Sequence, residues 1–428
     1  MKTVYNVMYE LTSTISIGVG TNTDPTVMAI SPSDIVSVAI LHRYDTSTYP
    51  IIRLRLYADM SLVELINEDP DNIYAGISAI GAIYQIDEET QSTTRVQAAD
   101  TISIYGRAYM EHKNIPVSKM DQYKDGSRDT DDLNVDSKVP FELYIYDDTL
   151  IHAMRQKTQA VYRNMTVGTA CEDILVRAGL AKNQIVIDPI QNQKRYDQIL
   201  IPNLRAVEAF SYFDHMYGLY PHGGMLYYDN TISPPTMFLC DTQASRTAAT
   251  NVPIYIRTEK QDSNDGGMTR VSYDGKVYYA MQTGAINASV ITEADIERVM
   301  NPEIMSDINL VNLDSHHTKL TRLFNTTDID TLPNRIEQKN RLHKTDRTTL
   351  SIQDAARLNE KITRVDLSGV GFPITKFKPN ARVNLIFESP IRGLKIGDCY
   401  RMRYACHVLT NMTGTLFTPQ TTMSLCTN

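Results

Sequence analysis

The most regular alternation in the chain is IIRLRLYA, where Ile52, Leu54 and Leu56 share one face and Arg53, Arg55 and Tyr57 share the other. A period of two marks a half-buried antiparallel strand. DIVSVAILHRYD before it and TISIYGRAYM after it are also rich in β-branched and aromatic residues. SPSD, YP and EDPDN punctuate these runs as turns. The N-terminal block therefore predicts short strands in a small barrel or sandwich.

The period then changes. In TVGTACEDILVRAGL, residues Val167, Ala170, Cys171, Ile174, Leu175 and Ala178 recur at helical spacing. Thr166 can cap that helix, Thr169 and Glu172 have capping-box spacing, and Gly179 supplies a left-handed stop. The stretch NLRAVEAFSYFDHMYGLYPHGGMLYYD opens with Asn203 as an expected N-cap. Ala206, Phe210, Phe213 and Tyr217 form the stripe, and Gly218 ends the helix. A short strand through Leu219 and Tyr220, a turn at PHGG and a return strand MLYYD are expected to follow.

Farther on, SYDGKVYY predicts a hairpin at Asp274–Gly275, and TEADIERVMNP a short helix ending before Pro302. The C-terminal residues return to strands. In ARVNLIF, residues Ala381, Val383, Leu385 and Phe387 share a face. In RMRYACHVL, residues Met402, Tyr404, Cys406 and Val408 are expected opposite Arg401, Arg403 and His407. GTLFTPQTTMSL completes a meander.

With 428 residues the chain has room for roughly three domains. At 42% hydrophobic and 21% charged it can bury real cores. The net charge of -8 argues against a protein that clings to nucleic acid, which needs clustered Lys and Arg. The five cysteines, Cys171, Cys240, Cys399, Cys406 and Cys426, are scattered and lack CxxC spacing, so neither a zinc site nor a disulfide framework is indicated. The N-terminus does not read as a signal peptide, and no run is long enough for a membrane span. There is no Trp but 25 Tyr, a residue suited to half-buried sheet surfaces and interfaces.

Candidate chemistry is sparse. GxSxG, HExxH, Walker A and GxGxxG patterns are absent, and no carboxylate pair is singled out. The acidic stretch from Met120 to Lys138 carries Asp129, Asp131, Asp132 and Asp136 without the spacing of a calcium loop, and reads as a solvated excursion. His215 and His222 lack the i, i+4 spacing of helix metal ligands, and the adjacent His316 and His317 point apart. RIEQKNRLHKTDR reads as a solvated helix face rather than a phosphate site. A Cys171–His407 pair is conceivable, but sequence does not place the two together. No catalytic residue, cofactor or metal is assigned.

The order of parts is informative. Gly218, Gly223, Gly224 and Asp229 mark a helix–Gly–hairpin. Pro379, Val383, Leu385, Tyr400, His407, Gly414, Phe417 and Thr418 mark a C-terminal strand pair and its return strand. This succession resembles the baseplate hub proteins of tailed bacteriophages, to which hub parts of contractile injection systems and type VI secretion spikes are related. Where that pattern often has Gly after Pro379, this chain has Asn380, which also tolerates a left-handed turn.

The resemblance implies an α+β, β-rich fold with two small antiparallel tube-like β-barrels and peripheral α/β domains. The expected divisions are a first barrel at 1–118, a linker and connector at 119–165, a helix–hairpin domain at 166–245 and an inserted region at 246–350. Strands of a second barrel would occupy 351–428, completed by strands from 139–165. It further implies a non-enzymatic structural protein of the virion, at the tail tip or baseplate, assembled in the host cytoplasm. Such hubs form homotrimers whose six barrels make a pseudo-hexameric ring. The implied partners are a tail tube protein, a spike or tail-tip protein and a tape-measure protein, with DNA passing through the ring unbound. An acidic channel wall would suit that passage. The fold-defining positions are Gly179, Gly218, Gly223, Gly224, Asp229, Pro379, Tyr400, His407, Gly414 and Phe417. Two other readings stay open: a tail-associated cell-wall hydrolase or peptidase, and a host-receptor-binding tail protein.

Overall fold

The alternation in IIRLRLYA is carried through in three dimensions: Ile52, Leu54 and Leu56 are fully buried, while Arg55 and Tyr57 are exposed. The computed structural model describes residues 3–19, 25–44, 48–87, 93–110, 138–220, 224–241, 252–257, 268–273, 276–282, 286–292, 361–376, 381–387, 399–411 and 414–426. The acidic stretch 120–137, His222, Gly223, Asp274–Gly275, the helix expected over 293–302, His316–His317, the charged run 335–347 and Pro379 lie outside them.

The N-terminal strands are β1 (Thr3–Ile17), β2 (Thr26–Ile30), β3 (Ile35–Arg43), β4 (Ile51–Asp59), β5 (Ile73–Asp87), β6 (Thr93–Met110) and β7 (Lys138–Tyr146), with a helix at Met60–Glu68. A second unit follows. Its helices are Asp148–Arg155, Val167–Arg177 and Ala206–Tyr217, and its strands are β8 (Lys157–Thr166), β9 (Ile185–Ile187), β10 (Arg195–Arg205), β11 (Gly224–Asp229) and β12 (Thr236–Asp241). The remaining strands are β13 (Val252–Arg257), β14 (Met268–Tyr273), β15 (Lys276–Gln282), β16 (Ile286–Thr292), β17 (Lys361–Val370), β18 (Arg382–Phe387), β19 (Cys399–Asn411) and β20 (Leu416–Cys426).

The fold is β-rich and is dominated by one large, mostly antiparallel sheet. Within it eight strands pair in a closed cycle, β3–β4–β7–β6–β5–β1–β20–β19 and back to β3. A second path runs from β19 through β18, β13, β15 and β14 to β1, where Tyr5 pairs with Met268. Closing a sheet satisfies backbone groups that open edges would leave unpaired. Tyr273 pairs with Lys276 across the hairpin that Asp274–Gly275 predicted.

The start of the chain is tied to its C-terminal part by a polar knot. The Tyr9 hydroxyl donates to Asp100 Oδ1 at 2.6 Å and accepts from the Ile374 N–H at 2.9 Å. Asp100 Oδ2 accepts from the Thr375 N–H at 2.9 Å and the Thr375 hydroxyl at 2.8 Å. Burial, followed by the charge of Asp100, pushes the Tyr9 phenol well above its ordinary range, so it stays a donor.

Several local expectations are corrected. The helix expected from Asn203 starts later. Asn203 lies inside β10, at a register irregularity between Ile201 and Leu204, and Arg205 is the N-cap, its N–H donating to Glu208 Oε2 at 2.9 Å. Pairing with β8 holds the backbone extended past Asn203, and tertiary pairing overrides its capping preference. Leu219 and Tyr220 form a bend rather than a strand. The hairpin partner of β11 is β12, with Leu226 opposite Leu239. Leu150 and Ala153 join the second core although their segment reads as a connector, whereas β7 belongs to the large sheet.

The largest correction concerns β19. Tyr400 and Met402 face inward, but farther along it is Ala405, His407 and Leu409 that are buried. Tyr404, Cys406 and Val408 are only partly buried. Met402 pairs with Leu425 and Tyr404 with Ser424, so Arg403 is an extra residue on β19. One inserted residue reverses which face every later side chain takes. The carbonyl freed at Arg403 accepts from the Tyr44 N–H at 2.9 Å.

Candidate functional site

Two separate cores meet along one strand. In β11, Tyr227 and partly buried Met225 pack into the sheet core, while Leu226 and Tyr228 pack into the core of the helix–hairpin unit. Alternation at period two makes β11 a two-sided joint. The Tyr228 N–H donates to the Thr48 carbonyl at 2.6 Å, a main-chain bond across the seam.

The local chain explains why the hairpin sits where it does. Thr166 caps the Val167–Arg177 helix as expected, its Oγ1 accepting from the Thr169 N–H at 3.3 Å. Val167, Ala170, Cys171, Ile174, Leu175 and Ala178 are all buried, and Gly179 closes the helix at φ +97°. Glu172, expected in a capping box, instead meets Lys182 at 3.3 Å. Ala206, Phe210, Phe213 and Tyr217 are buried, and Gly218 ends their helix at φ +69°, where a Cβ would crowd the carbonyl. Buried Asn192 donates to the Tyr217 and Gly218 carbonyls at 2.7 and 3.0 Å, satisfying acceptors that the helix end leaves open. Asp214 accepts from the Leu219 and Gly224 N–H groups, both at 3.2 Å, and so sets the entry to β11.

At the seam, His42 of β3 is 1% exposed and His407 of β19 is 0% exposed. Their ring centroids are 5.9 Å apart. His42 stacks on Tyr44 at 5.3 Å, and its Nδ1 shares a hydrogen bond with the Tyr227 hydroxyl. Tyr44 and Tyr227 meet edge to face at 4.8 Å. His407 Nδ1 shares a hydrogen bond with Thr421 Oγ1 at 2.9 Å. Asp229, 2% exposed, accepts from the Thr231 N–H at 2.9 Å and the Thr231 hydroxyl at 2.6 Å.

Burial sets the electrostatics. Loss of water pulls His42 down to about 4, with Asp229 opposing the shift. Loss of water, and then the neighbouring His42, hold His407 well below the ordinary histidine range. Tyr44 and Tyr227 are pushed well above the ordinary phenol range by burial, with Asp229 adding to it. At neutral pH both imidazoles and both phenols are therefore uncharged.

The sequence-derived positions separate into two groups. His407 from the C-terminal strand pair packs against His42, and Asp229 from the hairpin lies near enough to act on it electrostatically. Tyr400 and Phe417 are sheet core, Gly414 is a turn at φ +81°, Gly179 and Gly218 end helices, and Gly224 packs under Tyr220. Gly223 and Pro379 lie outside the described residues. His42, Tyr44, Tyr227 and Thr421 were not singled out from sequence, because nothing in HRYD or LYYD distinguishes a buried junction from ordinary strand.

The cluster is a closed joint with both histidines shut away from solvent. Among the described residues no group of three or more His, Cys, Asp or Glu side chains could hold a metal ion. The thiol of Cys171 is buried and pushed well above its ordinary range by desolvation and then by Asp214, the reverse of what activates a nucleophile. It belongs to the second core, while His407 packs against His42 and Thr421. No described helix is long and apolar enough to cross a membrane.

The family model described as "Bacteriophage PBS1 gene 109 protein" matches residues 2–362. No curated protein matches the chain in sequence. Among solved structures the chain is similar to a tail protein from Neisseria meningitidis MC58, at 12% identity and TM-score 0.45, over 99% of this chain and 97% of that one. It is similar to the 43 kDa tail protein of prophage MuSo2 from Shewanella oneidensis, at 7% identity and TM-score 0.43, over 98% and 96% of the two chains. A third is the E. coli c3393 protein, a component of the type VI secretion system, at 7% identity and TM-score 0.37, over 91% of this chain and 73% of that one.

Proposed function

The chain belongs to the family of the bacteriophage PBS1 gene 109 protein, and from that premise we propose that it is a structural hub of a phage tail. In this reading three copies form a ring that joins the tail tube to the spike or tail tip and surrounds the DNA channel. Each copy contributes two small barrels, so that a threefold assembly offers six similar modules to a sixfold tube. Further partners are the tube, tip and tape-measure proteins, and the site of action is the tail tip or baseplate of the virion.

The observation that carries this reading is the pairing of β1 and β20 into one closed cycle within a phage-family chain. The second path, through β18, β13, β15 and β14, supports the second barrel. Exposed Tyr57 and Tyr105 on outward strand faces suit contact with neighbours, since Tyr is enriched at interfaces.

Two measurements test it. Light scattering on purified protein should give a trimer, or a monomer that trimerises on assembly. Imaging of intact particles should place three copies in a ring between tube and tip. A peripheral, receptor-exposed position would replace the hub with the adhesin reading, and clearing of cell walls in a zymogram would replace it with the hydrolase reading. Variants His215→Ala and His222→Ala should leave assembly and infectivity near normal; a large loss of activity with the fold intact would point to chemistry at those positions.

A further inference from the structure

We propose that the seam between the large sheet and the helix–hairpin unit is a proton-operated latch: neutral His42 and His407 keep it shut, and acid opens it while each core stays folded. The geometry is a joint of two buried imidazoles: His42 of β3, covered by Tyr227 of β11, and His407 of β19, packed edge-on against His42. The titratable groups facing them are Tyr44 from the end of β3, Tyr227 and Asp229 from β11, and each imidazole itself; β20 contributes the uncharged hydroxyl of Thr421.

Only Asp229 favours a proton on His42, and burial outweighs it. A second proton on His407, at 5.9 Å between centroids, would add like-charge repulsion in a dry seam. Opening lets water reach both rings and restores ordinary basicity. The open form then binds more protons as pH drops below the ordinary histidine value of 6.5. Closure is thus complete at neutral pH and is lost as pH falls from 6.5 toward about 4.

Opening withdraws Tyr227 and Met225 from the edge of the sheet core and leaves Leu226 and Tyr228 in the core of the helix–hairpin unit. A second contact spans the units without an imidazole: the Tyr74 hydroxyl donates to Asp148 at 2.5 Å, and Arg107 lies 3.5 Å from the same carboxylate.

Hydrogen exchange of the intact chain, corrected for intrinsic rates, tests the latch. The reporter is the peptide containing Tyr228, whose N–H crosses the seam. His42 alone should raise seam opening about thirty-fold between pH 7.5 and pH 5, and His407 should add to this. Peptides from the Val167–Arg177 helix, which contains no histidine, should keep their protection. The double variant His42→Gln/His407→Gln should lose the pH dependence. A flat wild-type profile, equal loss in seam and helix, or pH dependence that survives in the double variant would each overturn the proposal. Should the variant not fold, the wild-type profile alone decides.

Discussion

The two cores of this protein are assembled over different distances along the chain. The helix–hairpin core is drawn from one contiguous stretch, Leu150 to Leu239, with partly buried Tyr49 packed against it. The sheet core draws on Val7 at one end and Leu425 at the other, together with Tyr227 from the second unit. The first can form from local helices and a hairpin, whereas the second requires both chain ends to arrive before its ring is complete. Burial therefore stabilises the helix–hairpin unit locally, while closure of the sheet has to overcome the entropy of long loops.

The comparison is broken most directly by Phe213→Ala. Phe213 is fully buried in the contiguous core, and the truncation should cost about 3–5 kcal/mol of that unit's stability. Hydrogen exchange should show the loss in the Val167–Arg177 and Ala206–Tyr217 helices and leave β4 protected. Equal loss in β4 would mean that the two cores are one cooperative body.

Asp100→Ala attacks the other side. It strips partners from the Tyr9 hydroxyl, the Thr375 N–H and the Thr375 hydroxyl, and should cost about 2–3 kcal/mol. Urea unfolding would give the magnitude, and exchange should locate it in β1, β6 and the Ile374–Lys376 turn rather than in the helices.

Smaller effects sharpen the local picture. Gly218→Ala places a Cβ at φ +69° and should cost about 1–2 kcal/mol in thermal unfolding. Thr166→Ala removes the cap of the Val167–Arg177 helix and should cost about 1 kcal/mol. Both losses should stay within the contiguous unit. A matching loss of sheet protection in either variant would weaken the contrast between the two regions.

The division between what was legible in sequence and what was not follows the same contrast. The stripe Ala206, Phe210, Phe213 and Tyr217, the Thr166 cap and the Gly179 and Gly218 stops were readable because each depends on residues a few positions apart. The alternation of β4 was readable for the same reason. Asn203 misled because β8 reaches across and holds it in strand.

By itself the sequence determined the periods: which stretches alternate, which repeat at helical spacing, and where left-handed glycines stop them. The tertiary structure decided the parity of β19, since a bulge at Arg403 is a property of the β19–β20 pair and sends His407 inward. It alone decided that β1 meets β20 and that His42, Tyr227, Asp229 and His407 share one dry seam. The physical reason is that periodicity reports only that a side chain is buried. What it is buried against depends on contacts between residues hundreds of positions apart, and local spacing carries no trace of those.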